Sequence, residues 1–314
     1  MKETDLILDQ SEQKMLDPLK VRQALIALEL GETDKTILKY FNFLSQQVPI
    51  DSAYFMHAIP FFEDQTGMHV DEEHSVTGDF KLNEKIVDEL EEKVKKSIEK
   101  EKEIYVEYEL KEGNPLEELL SSAKSLNADL VVIGQSETRK EHGILAKNLA
   151  RKTDANALVV PEGADPTIKS ILVPIDFSDN SIRSLQIAVR LKKRLENPVE
   201  LVCLNIYSLP DMSYYATDRP FAQFKKMIEG NIEDAFDAFL STYIPDDKND
   251  VKIALYEKTL PGTSRYIMEY AKANKNDLVV MGAKGHTKVE LLLMGSVTES
   301  FLQLNNSIPT LIVK

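Results

Sequence analysis

A long internal repeat constrains the fold of this chain more than any other feature. Residues 129–134 read DLVVIG and residues 277–282 read DLVVMG, an offset of 148 residues. In the same way ALIALE at 24–29 corresponds to ILVPID at 171–176, and the two halves close on the apolar runs ALVVP (157–161) and TLIVK (310–314). A repeat of this length indicates a duplicated domain, because solenoid units are only about 20–50 residues long.

The repeat divides the chain of 314 residues into two domains, which also agrees with a typical domain size of roughly 100–200 residues. We predict an N-terminal extension at 1–21, a first domain at 22–161, a linker at 162–168 and a second domain at 169–314. The linker prediction rests on PEGADPT at 161–167, which is rich in Pro and Gly. The two domains are called the first half and the second half below.

Strand-like and helix-like patterns alternate within each half. Apolar residues recur every four positions from Leu82 to Ile98, which predicts a helix over 81–103, and the apolar runs at 52–60 and 130–133 predict buried strands. This alternation predicts an α/β fold in which each half has a parallel sheet covered by helices on both faces. In such sheets, ligands bind beyond the carboxyl ends of the strands, where the strand order reverses.

Composition excludes several kinds of partner. The formal net charge is −14 and the pI is about 5.0, whereas nucleic acids and anionic membranes attract basic surfaces. The single cysteine, Cys203, excludes an intramolecular disulfide, and its apolar surroundings predict a buried, inert thiol. The acidic N-terminus does not resemble a signal peptide, and no apolar run approaches the roughly 20 residues of a membrane span. We therefore expect a cytoplasmic protein.

The stretch GAKGHTKVELLLMGS at 282–296 has the spacing G-x2-G-x9-G-S and directly follows the apolar run DLVVMG. Glycines there let the backbone approach a ligand, because no Cβ atom intrudes. Gly295 and Ser296 stand at a predicted helix start, where free N–H groups and the helix dipole favour an anion. The pattern predicts a phosphate cradle, most simply for a nucleotide.

The second half resembles the universal stress protein family, and the whole chain from about residue 22 resembles a tandem member of it. The residues that carry the resemblance are ILVPIDFSDNS (171–181), TLPGTSRYIMEYAKANKNDLVVMG (259–282) and the G-x2-G-x9-G-S signature. The resemblance implies two tandem, doubly wound, five-stranded parallel-sheet domains with a Rossmann-like, adenine nucleotide α-hydrolase-like fold. It also implies that such a domain holds ATP, ADP or AMP, and Mg²⁺ is the usual companion of a triphosphate.

The resemblance also implies the nucleotide-binding residues. Pro174, Asp176 and Ser178 are expected to border the adenosine, together with the backbone of Ile206. Met281, Gly282 and Gly285 are expected along the base, ribose and phosphates, while Gly295, Ser296, Val297 and Thr298 would bind phosphate oxygens. Lys284 and His286 lie inside the loop, where they would either neutralise phosphate or remain exposed side chains.

Two of these residues have an alternative, purely structural role. The Asp176 carboxylate could accept hydrogen bonds from an adenine amine or a ribose hydroxyl, or it could cap the helix that starts near residues 178–181. Ser296 could bind phosphate or could serve only as the N-cap of the last helix. With two glycines upstream at the right spacing, phosphate contact is favoured.

The first half carries a damaged copy of the motif. Its second glycine position is Glu137, Lys147 and Asn148 replace Gly-Ser, and this region is about five residues shorter than in the second half. Glu29 replaces Asp176. A glutamate in the cradle would repel phosphate, so we predict that the first half is a structural, pairing or partner-binding domain.

Two further segments carry candidate residues. His69, Asp71 and His74 could ligate a metal, with His57 or Glu72 completing the site, but their order lacks a known ligand pattern and exposed loop residues are the alternative.

In the second half the corresponding loop contains Tyr214, Tyr215 and Phe221, near Asp211 and Asp218. These residues would form either a lid over the nucleotide or an interface patch.

Three functions follow from these observations. The first is a regulatory stress protein that binds an adenine nucleotide in its second half, with at most slow ATP hydrolysis because no base stands beside a nucleophile. The second is a nucleotide-independent interaction scaffold. The third is an adenylating enzyme, but enzymes of that type resemble SGGxDS where this chain reads DFSDNS.

The resemblance also implies how the chain assembles. The two halves are expected to pack face to face as an intrachain pseudo-dimer through their last strands, a homodimer is a further option, and the protein partner is unknown.

Overall fold

The computed structural model describes residues 19–59, 80–97, 104–136, 140–210, 221–285 and 294–314. In the first half the elements are β1 Val21–Leu28, α1 Thr33–Gln47, β2 Ile50–Ile59, α2 Phe80–Ser97, β3 Tyr105–Glu112, α3 Pro115–Ser125, β4 Leu130–Gln135, α4 Lys140–Lys152 and β5 Asn156–Pro161. In the second half they are β6 Ser170–Pro174, α5 Asp179–Arg194, β7 Glu200–Tyr207, α6 Phe221–Tyr243, a 3-10 turn Lys248–Asp250, β8 Lys252–Glu257, α7 Thr263–Ala273, β9 Leu278–Gly282, α8 Ser296–Leu304 and β10 Thr310–Val313.

The strands form a single ten-stranded sheet in the order β3-β2-β1-β4-β5-β10-β9-β6-β7-β8. Within each half all neighbouring strands are parallel, and the two halves have the same internal order. The predicted fold of two doubly wound α/β domains is therefore confirmed. The strand order reverses between β1 and β4 and between β6 and β9, which marks the two expected ligand positions.

The halves meet edge to edge rather than face to face. Strand β10 pairs antiparallel with β5, with Thr310 opposite Val159 and Ile312 opposite Ala157. The junction is extended by the Gln135 side chain, whose Nε2 donates to the carbonyl oxygen of Asn305 over 2.9 Å. This pairing protects both edge strands, which would otherwise expose unpaired backbone groups.

Side chains of the sheet alternate between two cores, one on each face. On β1, Ala24, Ile26 and Leu28 belong to one buried cluster, whereas Leu25 and Ala27 belong to the other. Both clusters continue into the second half. Strands that are buried on both faces read as continuous apolar runs, which explains why the repeat was visible in the sequence.

The aspartate of the repeated DLVV motif performs the same structural task in both halves. Asp129 Oδ2 accepts from the backbone N–H groups of Arg22 (2.8 Å) and Gln23 (3.2 Å). Asp277 Oδ2 accepts from those of Lys169 (2.8 Å) and Ser170 (3.0 Å). Each carboxylate thus ties the start of one strand to the start of its neighbour.

Two predictions from composition can also be compared with the structure. Cys203 is free and fully buried on β7, so the predicted burial is confirmed, and burial raises the pKa of its thiol to about 12. None of the helices in the described ranges is long and apolar enough to cross a bilayer.

Candidate functional site

The predicted site residues of the second half gather at the carboxyl ends of β6, β7 and β9. Pro174 and Gly282 are the last residues of β6 and β9, and Ile206 is the penultimate residue of β7. The Asn205 side chain, which the sequence analysis did not select, donates from Nδ2 to the carbonyl oxygen of Ile175 over 2.8 Å. This bond holds the ends of β6 and β7 together.

A tight turn after β6 presents Asp176 at the surface. Asp176 Oδ1 accepts from the backbone N–H of Ser178 (3.1 Å), and Phe177 has a left-handed backbone with φ of 62°. The Phe177 ring packs on those of Phe236 and Phe239 at centroid distances of 4.9 and 5.3 Å. A left-handed conformation is unfavourable for a bulky residue and occurs often at functional sites. Here aromatic packing stabilises it.

Ser178, not Asp176, caps the helix that follows. Its Oγ accepts from the backbone N–H of Ser181 over 3.3 Å, and the Ser178 side chain is buried. The capping role that was considered for Asp176 therefore belongs to Ser178, and Asp176 instead positions the turn. The carboxylate of Asp176 remains exposed to solvent.

The segment 282–295 is called the glycine loop, and two of its described glycines, Gly282 and Gly285, lie against the residues that follow β6. A Cβ atom on Gly285 would lie 2.5 Å from Asp176 Oδ2, and one on Gly282 would lie 2.6 Å from Asn180 Cβ. Gly295 closes the loop because its N–H donates to the carbonyl oxygen of Ala283 over 2.7 Å. Residues 286–293, which include His286, lie outside the described residues.

Helix α8 starts directly beside the glycine loop. Gly295 is its N-cap, so the N-cap role considered for Ser296 is wrong, and among the described residues no side chain caps this helix start. Ser296 and Val297 are exposed. The first N–H groups of a helix lack intrahelical partners, so an uncapped start is suited to bind an anion.

The Thr298 hydroxyl makes a hydrogen bond within the protein. The residue is buried, and its Oγ1 donates to the carbonyl oxygen of Gly282 over 2.7 Å. The hydroxyl hydrogen is thus occupied within the protein. Thr298 joins α8 to the end of β9, a function that the spacing of the motif did not reveal.

Positive charge accumulates behind the glycine loop. The pKa of Lys314 is lowered to about 8, mainly by burial and also by the nearby positive charge of Lys284, while Asp154 acts in the opposite direction. The Lys314 Nζ donates to the carbonyl oxygen of Arg151 over 3.3 Å. Lys284 is therefore close to a second lysine, an arrangement that an anion in the loop would stabilise.

Polar contacts also hold helix α6 over the ends of β7 and β8. Tyr207 donates to Glu229, and Lys225 lies 2.6 Å from Glu257 Oε2. Burial and the Glu229 carboxylate raise the pKa of the Tyr207 phenol to about 12. Phe221, the first residue of α6, is exposed, whereas Tyr214, Tyr215, Asp211 and Asp218 lie outside the described residues.

The corresponding region of the first half is built differently. Helix α4 begins at Lys140, so Lys147 and Asn148 lie inside it, whereas Gly295 and Ser296 stand at the start of α8. Backbone N–H groups within a helix already have partners. The first half therefore lacks a helix start at the position where the motif would require one; Glu137 itself lies outside the described residues.

The metal candidate of the first half cannot be compared with the structure. His69, Asp71, Glu72 and His74 lie outside the described residues, whereas His57 lies on β2 and contacts the backbone of Leu28. Within the described ranges no group of three or more His, Cys, Asp or Glu residues could hold a metal ion.

Comparison with known proteins identifies a family. Residues 52–161 and 167–314 each match the model of the Universal stress protein family. A universal stress protein from Methanocaldococcus jannaschii, MJ0531, is 26% identical over 147 residues, which cover 46% of this chain and 82% of that protein.

A solved structure shows the same architecture along most of the chain. A universal stress protein from Archaeoglobus fulgidus covers 93% of this chain and 96% of its own length, with a TM-score of 0.63 and 16% identity, so the likeness concerns the fold. A universal stress protein solved in complex with cAMP covers 45% of this chain and 97% of its own length, with 14% identity and a TM-score of 0.33.

Proposed function

Because this chain belongs to the universal stress protein family, we propose that it is a regulatory stress-response protein whose second half binds ATP or another adenine nucleotide. Nucleotide occupancy would alter the shape of the second half or its affinity for a protein partner. The proposal includes a cytoplasmic location, and Mg²⁺ enters it only as the companion of a triphosphate.

One observation carries the proposal: the turn after β6 converges with the glycine loop and the start of α8 at one edge of the sheet, although the turn is distant from both in sequence. The Gly285 backbone approaches the Asp176 carboxylate, and a Cβ atom on Gly295 would lie 3.5 Å from the Gly285 nitrogen. A carboxylate that can accept from an amine or a hydroxyl therefore stands beside a backbone that a nucleotide could approach closely. This is the arrangement that base, ribose and phosphate recognition requires.

The start of α8 supplies the proposed phosphate contacts. Its exposed first turn carries N–H groups without a side-chain cap, and the helix dipole adds partial positive charge. The nearby Lys284 favours an anion at the same place. Ser296, Val297 and Thr298 would contribute backbone N–H groups, while the Thr298 hydroxyl would continue to hold Gly282.

The proposal assigns one nucleotide to each chain. In the first half the interior of α4 occupies the position that would need a free helix start, and Glu29 replaces Asp176. The antiparallel pairing of β5 and β10 would then make the first half a pairing domain within the chain, in the manner of a pseudo-dimer.

The decisive experiment identifies what the purified chain carries. Freshly purified protein is denatured, released small molecules are identified by chromatography and mass spectrometry, and the emptied protein is titrated with ATP, ADP and AMP. About one adenine nucleotide per chain supports the proposal. Two per chain would show that the first half also binds a nucleotide. If no nucleotide copurifies and none binds in the titration, the scaffold function remains.

The titration is repeated with Asp176→Asn and with the control Asp179→Asn. Both positions are exposed and lie three residues apart. Asp176 lies in the turn after β6, whereas Asp179 is the first residue of α5. Only the change at Asp176 is expected to weaken nucleotide binding. Release of pyrophosphate in the presence of an acceptor substrate would instead favour an adenylating enzyme.

A further inference from the structure

One outer strand of the sheet is apolar along its middle. Strands β3 and β8 are the two outer strands of the ten-stranded sheet. On β3, Glu107, Glu109 and Lys111 place charges along the strand, and charged side chains are a common protection of a sheet edge. On β8 the middle residues are uncharged, and Ile253 is 40% exposed and Tyr256 37% exposed. Charged side chains therefore protect the edge at β3 but not the edge at β8.

The charges at the two ends of β8 are compensated within the chain. Lys252, the first residue of the strand, has its Nζ 2.9 Å from Glu200 Oε2 on β7. Glu257, the last residue, has its Oε2 2.6 Å from Lys225 Nζ on α6. The charges of β8 itself would thus do little to repel another strand that lies beside it.

The outer edge of β8 offers unpaired backbone groups. The Lys258 N–H donates to the carbonyl oxygen of Tyr207 over 2.7 Å, so the backbone at this position is directed to β7. Successive residues of a strand direct their backbone groups to opposite sides, so those of Ile253, Leu255 and Glu257 are directed away from β7. Among the strands of the described ranges, β7 is the one that pairs with β8. An open edge of this kind can accept a further strand.

Two opposite charges flank β8 at equal distances from its residue Ala254. Asp250 precedes Ala254 by four residues and is exposed, and Lys258 follows it by four. The Lys258 Nζ donates to the Thr263 hydroxyl over 3.1 Å, but within the described ranges neither Asp250 nor Lys258 has an ion-pair partner. At about 3.3 Å per residue of a strand, roughly 26 Å separates these two charges, so they do not neutralise each other within one chain.

We propose that two copies of this chain associate through β8, which pairs antiparallel with β8 of the partner. A two-fold axis at Ala254 sets this residue opposite the partner's Ala254 and sets Ile253 opposite the partner's Leu255. Asp250 then stands opposite the partner's Lys258, and symmetry forms the same pair a second time. The sheet would continue across the two chains, as it continues across the two halves through β5 and β10. The proposal rests on the sheet edge and does not depend on nucleotide binding.

The flanking charges favour this register over its neighbours. Residues whose backbone groups are directed outward must lie opposite each other, because they exchange the hydrogen bonds between the strands. A register centred on Leu255 would set Lys252 opposite the partner's Lys258, and like charges directly opposite each other are destabilising. A register centred on Ile253 would bring the partner's Lys258 opposite Lys248, again a like charge. The register centred on Ala254 instead joins opposite charges at both ends of the paired strands.

Sedimentation velocity of the full chain, from about 1 to about 200 µM and at about 0.15 M salt, tests the proposal, since charges more than about 8 Å apart are then largely screened. A reversible equilibrium between monomer and dimer is expected, because the pairing of two short strands makes a small interface. A monomer over the whole range would overturn the proposal. Assemblies that keep growing with concentration would also overturn it and would indicate head-to-tail pairing of β8 with β3 of the next copy.

Charge reversal then locates the interface. Asp250→Lys and Lys258→Asp are each expected to weaken dimerisation about tenfold, because like charges would then face each other across the two strands. The double variant has opposite charges again, and its dissociation constant should return to within about threefold of that of the unaltered chain. Such a recovery would come from contact between two chains, since the two positions are too far apart to meet within one.

Glu107→Lys on the other outer strand, β3, is the matched control and should leave the dimer unchanged. Three results would overturn the proposal: single variants that dimerise normally, a double variant that does not recover, and loss of the dimer in Glu107→Lys.

Discussion

Gly285 and Asp176 lie so close together that a side chain at position 285 would collide with the Asp176 carboxylate. A Cβ atom on Gly285 would lie 2.5 Å from Asp176 Oδ2 and 3.7 Å from the carboxyl carbon of the same residue. Among the described neighbours, these are the two heavy atoms within 4 Å. The two residues are 109 positions apart in the sequence. Their contact joins the glycine loop to the turn after β6 and creates the edge at which we propose that the nucleotide binds.

Gly285→Ala is expected to weaken adenine-nucleotide binding at least tenfold. The new methyl group would displace the Asp176 carboxylate, which can rotate away, so the free energy of unfolding should change by less than about 1 kcal/mol. Calorimetric titration and urea unfolding measure the two effects. Gly143→Ala in α4 is the control, because its Cβ would meet only ordinary contacts at 3.8 Å or more. Unchanged affinity in Gly285→Ala would contradict the proposed site.

Gly282→Ala is expected to destabilise the fold instead. Its Cβ would lie 2.6 Å from Asn180 Cβ and 3.0 Å from the Asn180 carbonyl carbon, and a helix backbone cannot move as easily as a carboxylate. Overpacking of this kind costs about 1–3 kcal/mol. Urea unfolding would show the loss directly, and a free energy of unfolding equal to that of the unaltered chain would show that α5 adjusts without cost.

Thr298→Val is expected to lower the free energy of unfolding by about 0.5–1.5 kcal/mol, because it removes the hydrogen bond to the Gly282 carbonyl. Thr298→Ser keeps the hydroxyl and should retain most of that stability. Thermal unfolding of both variants separates the effect of losing the hydrogen bond, in Thr298→Val, from the effect of losing a methyl group, in Thr298→Ser. If serine and valine destabilise equally, the hydroxyl does not hold the loop.

Asp129→Asn is expected to cost about 1–2 kcal/mol at neutral pH, because a charged acceptor of two backbone N–H groups is lost. Burial alone would raise the pKa of Asp129, but hydrogen bonds from the Arg22 side chain and from the backbone of Arg22 and Gln23 lower it below its ordinary value of 3.8. A carboxylate whose pKa is lower in the folded state stabilises the fold at pH values above its ordinary pKa. That stabilisation is lost as the pH falls through the pKa of the folded state.

The difference between Asp129→Asn and the unaltered chain should therefore be constant near neutral pH and should shrink below about pH 4. Urea unfolding at pH 7, 5, 4 and 3 measures it. Asp51→Asn is the control, since Asp51 forms an exposed ion pair with Lys20 and should contribute less than about 1 kcal/mol. A difference that persists unchanged at pH 3 would contradict the role of the charge.

Gly230→Ala is expected to stabilise the protein by about 0.5–1 kcal/mol, because glycine weakens the interior of a helix. Gly230 lies in the middle of α6, and in the described part of the chain nothing lies within 4 Å of its Cβ position. Thermal unfolding should show a higher midpoint with nucleotide binding unchanged. A lower midpoint would indicate that α6 needs the freedom of a glycine here.

Much of the secondary structure was predictable from local patterns. The helix predicted over 81–103 is α2, which spans Phe80–Ser97, while 98–103 lie outside the described residues. The strands predicted at 52–60 and 130–133 are β2, Ile50–Ile59, and β4, Leu130–Gln135. The ends differ by a few residues elsewhere: β1 starts at Val21, three residues before the apolar run, because backbone pairing with Ile50 extends it. Hydrogen bonds between strands, unlike apolar periodicity, leave no local signal.

The candidate site was predictable only in part. Its glycines stood out because the motif spacing is specific, and Asp176 was selected through the resemblance to the family. The roles of Ser178, Thr298 and Asn205 depend on partners that are distant in sequence or on exact cap geometry. A pocket of the first half, at the carboxyl ends of β1, β2 and β4, was not predicted at all. Its walls come from three strands and two helices, and each of them taken alone is an ordinary apolar element.

The sequence by itself determined the duplication, the α/β class and the position of the glycine loop, because repeat spacing, apolar periodicity and glycine are local properties of the chain. Only the tertiary structure decided that β5 and β10 unite the halves in one sheet, that Asp176 meets Gly285, and that the interior of α4 lies in the first half where α8 starts in the second. These features depend on which surfaces meet after folding. The contacts that stabilise them join residues that are distant in sequence, so no short segment of the chain reveals them.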